Sequence, residues 1–157
     1  MKGLTMSKTF ALQPLLNLAQ KQNDAAAKKL GQLNQQQVQA QNKLDTLLQY
    51  RRDYQVRFQE ASRNGLDQTG LNNFQNFLYR LDEAIQQQRS AIEQATQHVA
   101  TGRNELLAAQ RKMKSFDTLA QRHLETEKQR ESKIEQRIQD EHTGRFASYR
   151  RMNDKDI

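Results

Sequence analysis

The chain has 157 residues, of which 27% are charged and only 35% hydrophobic, with a mean hydropathy of −1.04, so its apolar residues suffice for stripes and not for a thick globular core. Its 24 glutamines, single proline and lack of tryptophan suit long solvated helices over sheets, and the absence of cysteine excludes disulfides and thiolate chemistry. The net charge of +7 is dispersed, with 6 basic and 2 acidic groups in residues 1–50, 6 and 6 in 51–100, and 13 and 10 in 101–157, a mixture that argues against a nucleic-acid footprint and for a solvated helix or a protein partner.

In chain order, residues 1–9 show no periodicity and read as an irregular N-terminal segment, within which Met6 is an alternative start. No apolar run follows Lys2 for secretion, and none approaches the roughly 20 residues needed to span a bilayer, so the default address is cytoplasmic. Helix one starts between Thr9 and Gln13, because Pro14 fits only a first turn, where its missing N–H has no intrahelical partner. It is expected over about 10–62. Leu12, Ala19, Ala26, Leu33, Ala40, Leu47, Tyr54 and Ala61 form one heptad row, and Leu16, Asn23, Leu30, Gln37, Leu44, Arg51 and Phe58 form its companion. Alternating steps of three and four keep such a stripe against a partner helix along a left-handed supercoil.

Ser62, Asn64, Gly65, Asp67 and Gly70 mark a turn at about 63–70, with Gly65 placed for a left-handed conformation and either Asp67 or Thr69 as the cap of helix two. Helix two is expected over about 71–140. Its rows are Leu71, Leu78, Ile85, Ile92, Val99, Leu106, Met113 and Ala120, and Phe74, Leu81, Gln88, Ala95, Gly102, Ala109 and Phe116. The predicted fold is all-α, an elongated antiparallel two-helix coiled-coil hairpin over residues 10–143, with facing residues whose numbers total about 133. On that register everything past Ala120 overhangs, and helix two outruns helix one by some 20 residues. The overhang has no apolar partner within the chain and is expected to fray unless bound. Residues 144–157, with Arg145, Arg150, Arg151 and Lys155, read as a disordered basic tail. The polar seam residues Asn23, Gln37, Arg51 and Gln88, with Gly102, read either as imperfections or as devices that set register.

Chemistry is hard to find. His98, His123 and His142 are far apart, and His123 with Glu127 one turn away supplies only two ligands, too few for a closed metal site. There is no phosphate loop, nucleophile elbow or HExxH pattern, and two helices lack the concave pocket that excludes water. The expectation is a non-enzyme with no metal, no catalytic residues and no cofactor. What stands out is that six of the ten aromatic residues, Tyr50, Tyr54, Phe58, Phe74, Phe77 and Tyr79, cluster near the turn. Tyr54, Phe58 and Phe74 occupy the seam. With the rows of Arg51 and Leu78 as a positions and those of Tyr54 and Leu81 as d, Tyr50, Phe77 and Ala84 fall at g positions, which flank one another in an antiparallel pair, and Leu47 and Leu81 back them. This edge reads as a protein-binding hot spot or as ordinary scattered exposure of apolar residues.

At these residues the chain resembles the FliJ family of the flagellar type III export apparatus. The resemblance rests on Phe10-Ala-Leu-Gln-Pro-Leu-Leu-Asn-Leu-Ala19, Ala25-Ala-Ala-Lys-Lys-Leu-Gly31, Leu47-Leu-Gln-Tyr-Arg-Arg-Asp-Tyr54 and Phe74-Gln-Asn-Phe-Leu-Tyr-Arg-Leu-Asp-Glu-Ala-Ile85, and spans residues 10 to about 145. It implies a hairpin similar to the stalk of rotary ATPases, a stalk-like adaptor coupling the hexameric export ATPase FliI to the cytoplasmic domain of the export-gate membrane protein FlhA, and binding of export chaperones. It implies gate contacts at Leu47, Tyr50, Tyr54, Phe77, Leu81 and Ala84, while Lys43 and Gln88 stand where members carry Gln and His. By the same resemblance, Leu12, Leu16, His123, Glu127, Arg130 and Arg137 are candidate contacts with the ATPase ring. The implied location is cytoplasmic, held at the inner face of the membrane at the flagellar base through partners, with no nucleic acid expected. The competing readings are the coiled-coil stalk of a related virulence secretion system and a nucleic-acid-associated coiled coil that uses the basic tail.

Overall fold

The structure is a computed structural model and describes residues 10–155; the expected irregular segment 1–9 with Met6, and residues 156–157, lie outside the described residues. Two helices, α1 (Gln13–Arg63) and α2 (Gln68–Asn153), pack against each other as an all-α hairpin, and no strand occurs among the described residues. Pro14 is the second residue of α1, where the N–H it lacks would point out of the helix. The chain divides into two compact units, Gln22–Gln110, and Met1–Lys21 with Arg111–Ile157.

In the Gln22–Gln110 unit every residue of the four heptad rows is buried or half-buried. The densest packing is at Leu44, Leu81 and Ile85, against which Leu47, Leu48 and Ile92 rest. Each fully buried side chain of this size contributes about 1.5–3 kcal/mol, so stability accumulates layer by layer along the seam. At Gly102 an added Cβ would stand 2.8 Å from Leu33 Cδ1, so the missing side chain is what lets Leu33 fill its layer. Side-chain pairs fix the register: Arg51 with Asp82 and Gln37 with Thr96 each have numbers that total 133.

The turn is built from local chemistry. Gly65 has φ +87°, the left-handed conformation that glycine adopts without strain, and ends α1. Asp67 is the cap of α2: its Oδ1 accepts the Gly70 N–H at 2.8 Å while its carbonyl accepts the Leu71 N–H at 2.9 Å. A Cβ at Gly70 would fall 2.9 Å from that same carboxylate oxygen. Glycine is therefore the residue that leaves the cap room to close.

In the other unit Leu16 and Ala19 are buried, and Leu12, Met113, Phe116, Ala120, His123 and Glu127 are half-buried. The Phe10 ring tilts over His123, with centroids 5.5 Å apart. From Lys128 to Lys155 every residue is exposed. Yet α2 does not stop near Asp140: it runs to Asn153, so residues 144–153 are helical where the sequence analysis expects a disordered tail. With 86 residues against 51, α2 exceeds α1 by 35 and not by some 20. Short-range contacts account for the extra turns. Arg150 lies one turn from Phe146 with its guanidinium 5.4 Å from the ring centre, and Thr143 satisfies its hydroxyl on the Gln139 carbonyl at 2.8 Å without leaving the helix. Against these, Gly144 is a single helix-weakening residue, at a cost of about 1 kcal/mol.

Candidate partner-binding site

The same heptad that places a and d residues in the seam of the Gln22–Gln110 unit places e residues along one edge and g residues along the other, and the two edges differ. Along the e edge, polar side chains reach across from the seam. Arg51 donates through Nε to Asp82 Oδ1 and through Nη2 to Oδ2 at 3.4 Å, and Gln37 Nε2 donates to Thr96 Oγ1 at 3.1 Å. Hydrogen bonding to Asp82, then its charge, holds the Arg51 guanidinium pKa above the ordinary arginine value. Gln88, buried on a d row, donates to the Ala40 carbonyl at 2.8 Å. Three of the five irregular seam residues thus tie one helix to the other, and Gly102 accommodates Leu33. Only Asn23, whose Oδ1 is buried without a hydrogen-bond partner, reads as a plain imperfection.

On the g edge nearest the turn, the side chains at Tyr50, Phe77 and Ala84 are aromatic or small. Phe58, Phe74, Tyr54 and Phe77 form a connected series of rings, with centroids 5.3, 5.0 and 4.1 Å apart in that order. Phe77 therefore does not stand free of the seam. One side of it packs on Tyr54, and 45% of its surface remains exposed. Such stacking holds a ring in place before any partner arrives. Tyr50, at 59%, is more exposed still.

The six gate candidates fall at three depths. Tyr50 and Phe77 are exposed, Leu47, Tyr54 and Ala84 are half-buried, and Leu81 is buried in the cluster with Leu44 and Ile85. Leu81 and Leu47 support the edge from below. The sequence reading missed how the edge continues: Gln36, Lys43, Ala91, Ala95, Gln88 and His98 line a shallow groove. The signal was present in the heptad, because Ala91 and His98 repeat the g position of Ala84, while Lys43 and Gln36 repeat that of Tyr50. Lys43 and Gln88, flagged above as departures from the FliJ pattern, both line this groove. At its far end Lys29 donates to Glu105 at 3.0 Å and closes the edge with an exposed ion pair. Tyr79, also in the aromatic cluster, stands 66% exposed beside Asp82, Glu83 and Gln86, away from the g row.

Of the ring candidates, Leu16 is buried, Leu12, His123 and Glu127 are half-buried, and Arg130 and Arg137 are exposed on the bare part of α2.

Residues 7–152 match the family described as Flagellar FliJ protein. The chain belongs to the FliJ family. It is 29% identical over 142 residues to the Flagellar FliJ protein of Salmonella typhi, and 28% identical over 142 residues to that of Escherichia coli K12; each alignment covers 90% of this chain and 97% of the relative. Family membership thus spans both helices, including the part of α2 that no described residue covers. No helix among the described residues is long and apolar enough to cross a membrane.

Proposed function

We propose that this flagellar export component is a non-enzymatic, stalk-like adaptor that couples the hexameric export ATPase to the export gate and binds export chaperones. The g edge, with Tyr50 and Phe77 outermost on a support of Tyr54, Leu47, Leu81 and Ala84, docks the cytoplasmic domain of the gate protein FlhA. The far end of α2, with Arg130 and Arg137 exposed beyond His123 and Glu127, and the start of α1 at Leu12 and Leu16, engage the ATPase FliI. The protein works on the cytoplasmic side of the membrane at the flagellar base, held there through these partners.

The observation that carries this reading is the asymmetry of the two edges. A helix pair that had only to hold itself together would gain nothing from leaving Tyr50 and Phe77 exposed, since an aromatic side chain stabilises by leaving water. Rigid aromatic side chains at a partly dry edge are what binding hot spots are made of.

The test is a titration of the FlhA cytoplasmic domain with the double variant Tyr50→Ala/Phe77→Ala. A loss of about 1–3 kcal/mol in affinity is expected, on the scale of hot-spot truncation. Unchanged affinity with helicity retained removes the gate assignment. A separate titration of the ATPase with Arg130→Ala/Arg137→Ala reads the other end, and there the loss should grow as salt is lowered.

A further inference from the structure

Past Glu127 the pattern on α2 changes. The half-buried residues Met113, Phe116, Ala120, His123 and Glu127 follow heptad steps of three and four. On the same face beyond them come Glu131, Ile134, Ile138, His142, Arg145 and Tyr149, with successive steps of four, three, four, four, three and four from Glu127. This is an eleven-residue repeat, Ile134 to Arg145 and Ile138 to Tyr149. It averages about 3.67 residues per turn, so the stripe drifts slowly in the sense opposite to the heptad seam and suits a right-handed pairing. Ile134, Ile138 and Tyr149 are 48%, 61% and 66% exposed. No described residue covers them.

We propose that a second copy of this chain covers the stripe, the two α2 helices running antiparallel about a twofold axis at Ile138. In a contact of this symmetry, residues equidistant from Ile138 along the chain face one another, each pair occurring twice. Ile138 then meets its own copy, Ile134 meets His142, Glu131 meets Arg145, and the Glu127 carboxylate meets the Tyr149 hydroxyl. The Glu131–Arg145 pair, made twice in such a contact, favours a second copy in this direction. On the stripe the acidic groups lie only on the N-terminal side of Ile138 and the arginine only on the C-terminal side. Antiparallel pairing therefore sets opposite charges face to face, whereas parallel pairing would stack Glu131 on Glu131 and Arg145 on Arg145. One contact opposes the arrangement: Glu135 faces Glu141 at the flank. The inference goes beyond the export reading, and because it covers Glu127 it makes the second copy a competitor of the ATPase ring for this helix.

The test uses the full chain and measures its mass by sedimentation equilibrium at low salt across a range of concentrations. A dimer is expected. Glu131→Arg and Arg145→Glu should each weaken it by about tenfold or more, and the two together should restore it, because the exchange rebuilds the pair with its signs swapped. Glu135→Lys should tighten it by relieving the flanking repulsion. Since the chain has no cysteine, Ile138→Cys provides a second readout. On mild oxidation it should give a disulfide-linked dimer, while Ser132→Cys, on the opposite side of α2, should not. A chain that stays monomeric at every concentration overturns the proposal, as does a double variant no stronger than the single ones, or equal cross-linking at both positions. Circular dichroism of each variant shows that α2 is intact. ATPase binding is read separately, so failure here leaves the export reading standing.

Discussion

The two edges of the Gln22–Gln110 unit flank one seam and obey one heptad, yet polar bridges mark one while the other, toward the turn, carries exposed aromatic side chains. On the e edge, Arg51 and Gln37 leave the seam to reach Asp82 and Thr96 across the pair. On the g edge, Tyr50 and Phe77 stand out from a seam of rings and leucines that does not need their full burial. Under the proposed function, the difference separates what keeps the helices in register from what a partner would cover. Polar reach sets register, because a charge or amide buried off register loses its bonds. Apolar exposure supplies binding, because it costs free energy until something covers it.

The comparison is sharpest if the seam between the edges is damaged first. Ile85→Ala or Leu44→Ala empties the densest layer and should cost about 2–5 kcal/mol, seen as a large drop in melting temperature by circular dichroism. Gate binding should fall only as far as the fold does. Phe77→Ala comes next in size: a large share of the roughly 1–3 kcal/mol of gate affinity expected to be lost by the double variant with Tyr50→Ala, with a melting temperature that moves far less, since much of the ring is already solvated. If Phe77→Ala melted the protein as badly as Ile85→Ala, the g edge would be core and not a docking surface.

Gln88→Leu probes the polar ties in the opposite direction. The Ala40 carbonyl lies inside α1, where it also serves a helical N–H, so removing the Gln88 amide leaves no orphan and adds apolar contact. The melting temperature should rise modestly, by the equivalent of about 0.5–1.5 kcal/mol. A clear fall would mean that the hydrogen bond itself holds the layer together. The smallest effect belongs to Asp82→Asn, which removes the charge facing Arg51. Its stability change should be slight, should vanish at high salt, and should leave gate affinity untouched.

Much of this was legible in the chain itself. The seam rows are readable because a heptad repeat sustained over many turns has few other physical causes, and Gly65 announces the turn by its backbone, while the choice of Asp67 over Thr69 as the cap comes from the structure. The length of α2 is not legible past Asp140, because there apolar periodicity ends while the helix continues to Asn153. Propensity and one-turn contacts such as Arg150 to Phe146 sustain a helix without any partner face. Among the gate candidates, the heptad put Tyr50, Phe77 and Ala84 on one edge but could not give their depth. Whether Leu81 is surface or core depends on Leu44 and Ile85, far away in sequence.

By itself, then, the sequence determined an all-α pair of helices, their register and the edge on which aromatics gather, because period and spacing are properties of one chain read in order. Only the tertiary structure decided that Phe77 rests on Tyr54, that Arg51, Gln37 and Gln88 find partners across the pair while Asn23 does not, and that Leu33 fills the space at Gly102. Those outcomes depend on distances between side chains on different helices, which the order of residues in either helix alone does not specify.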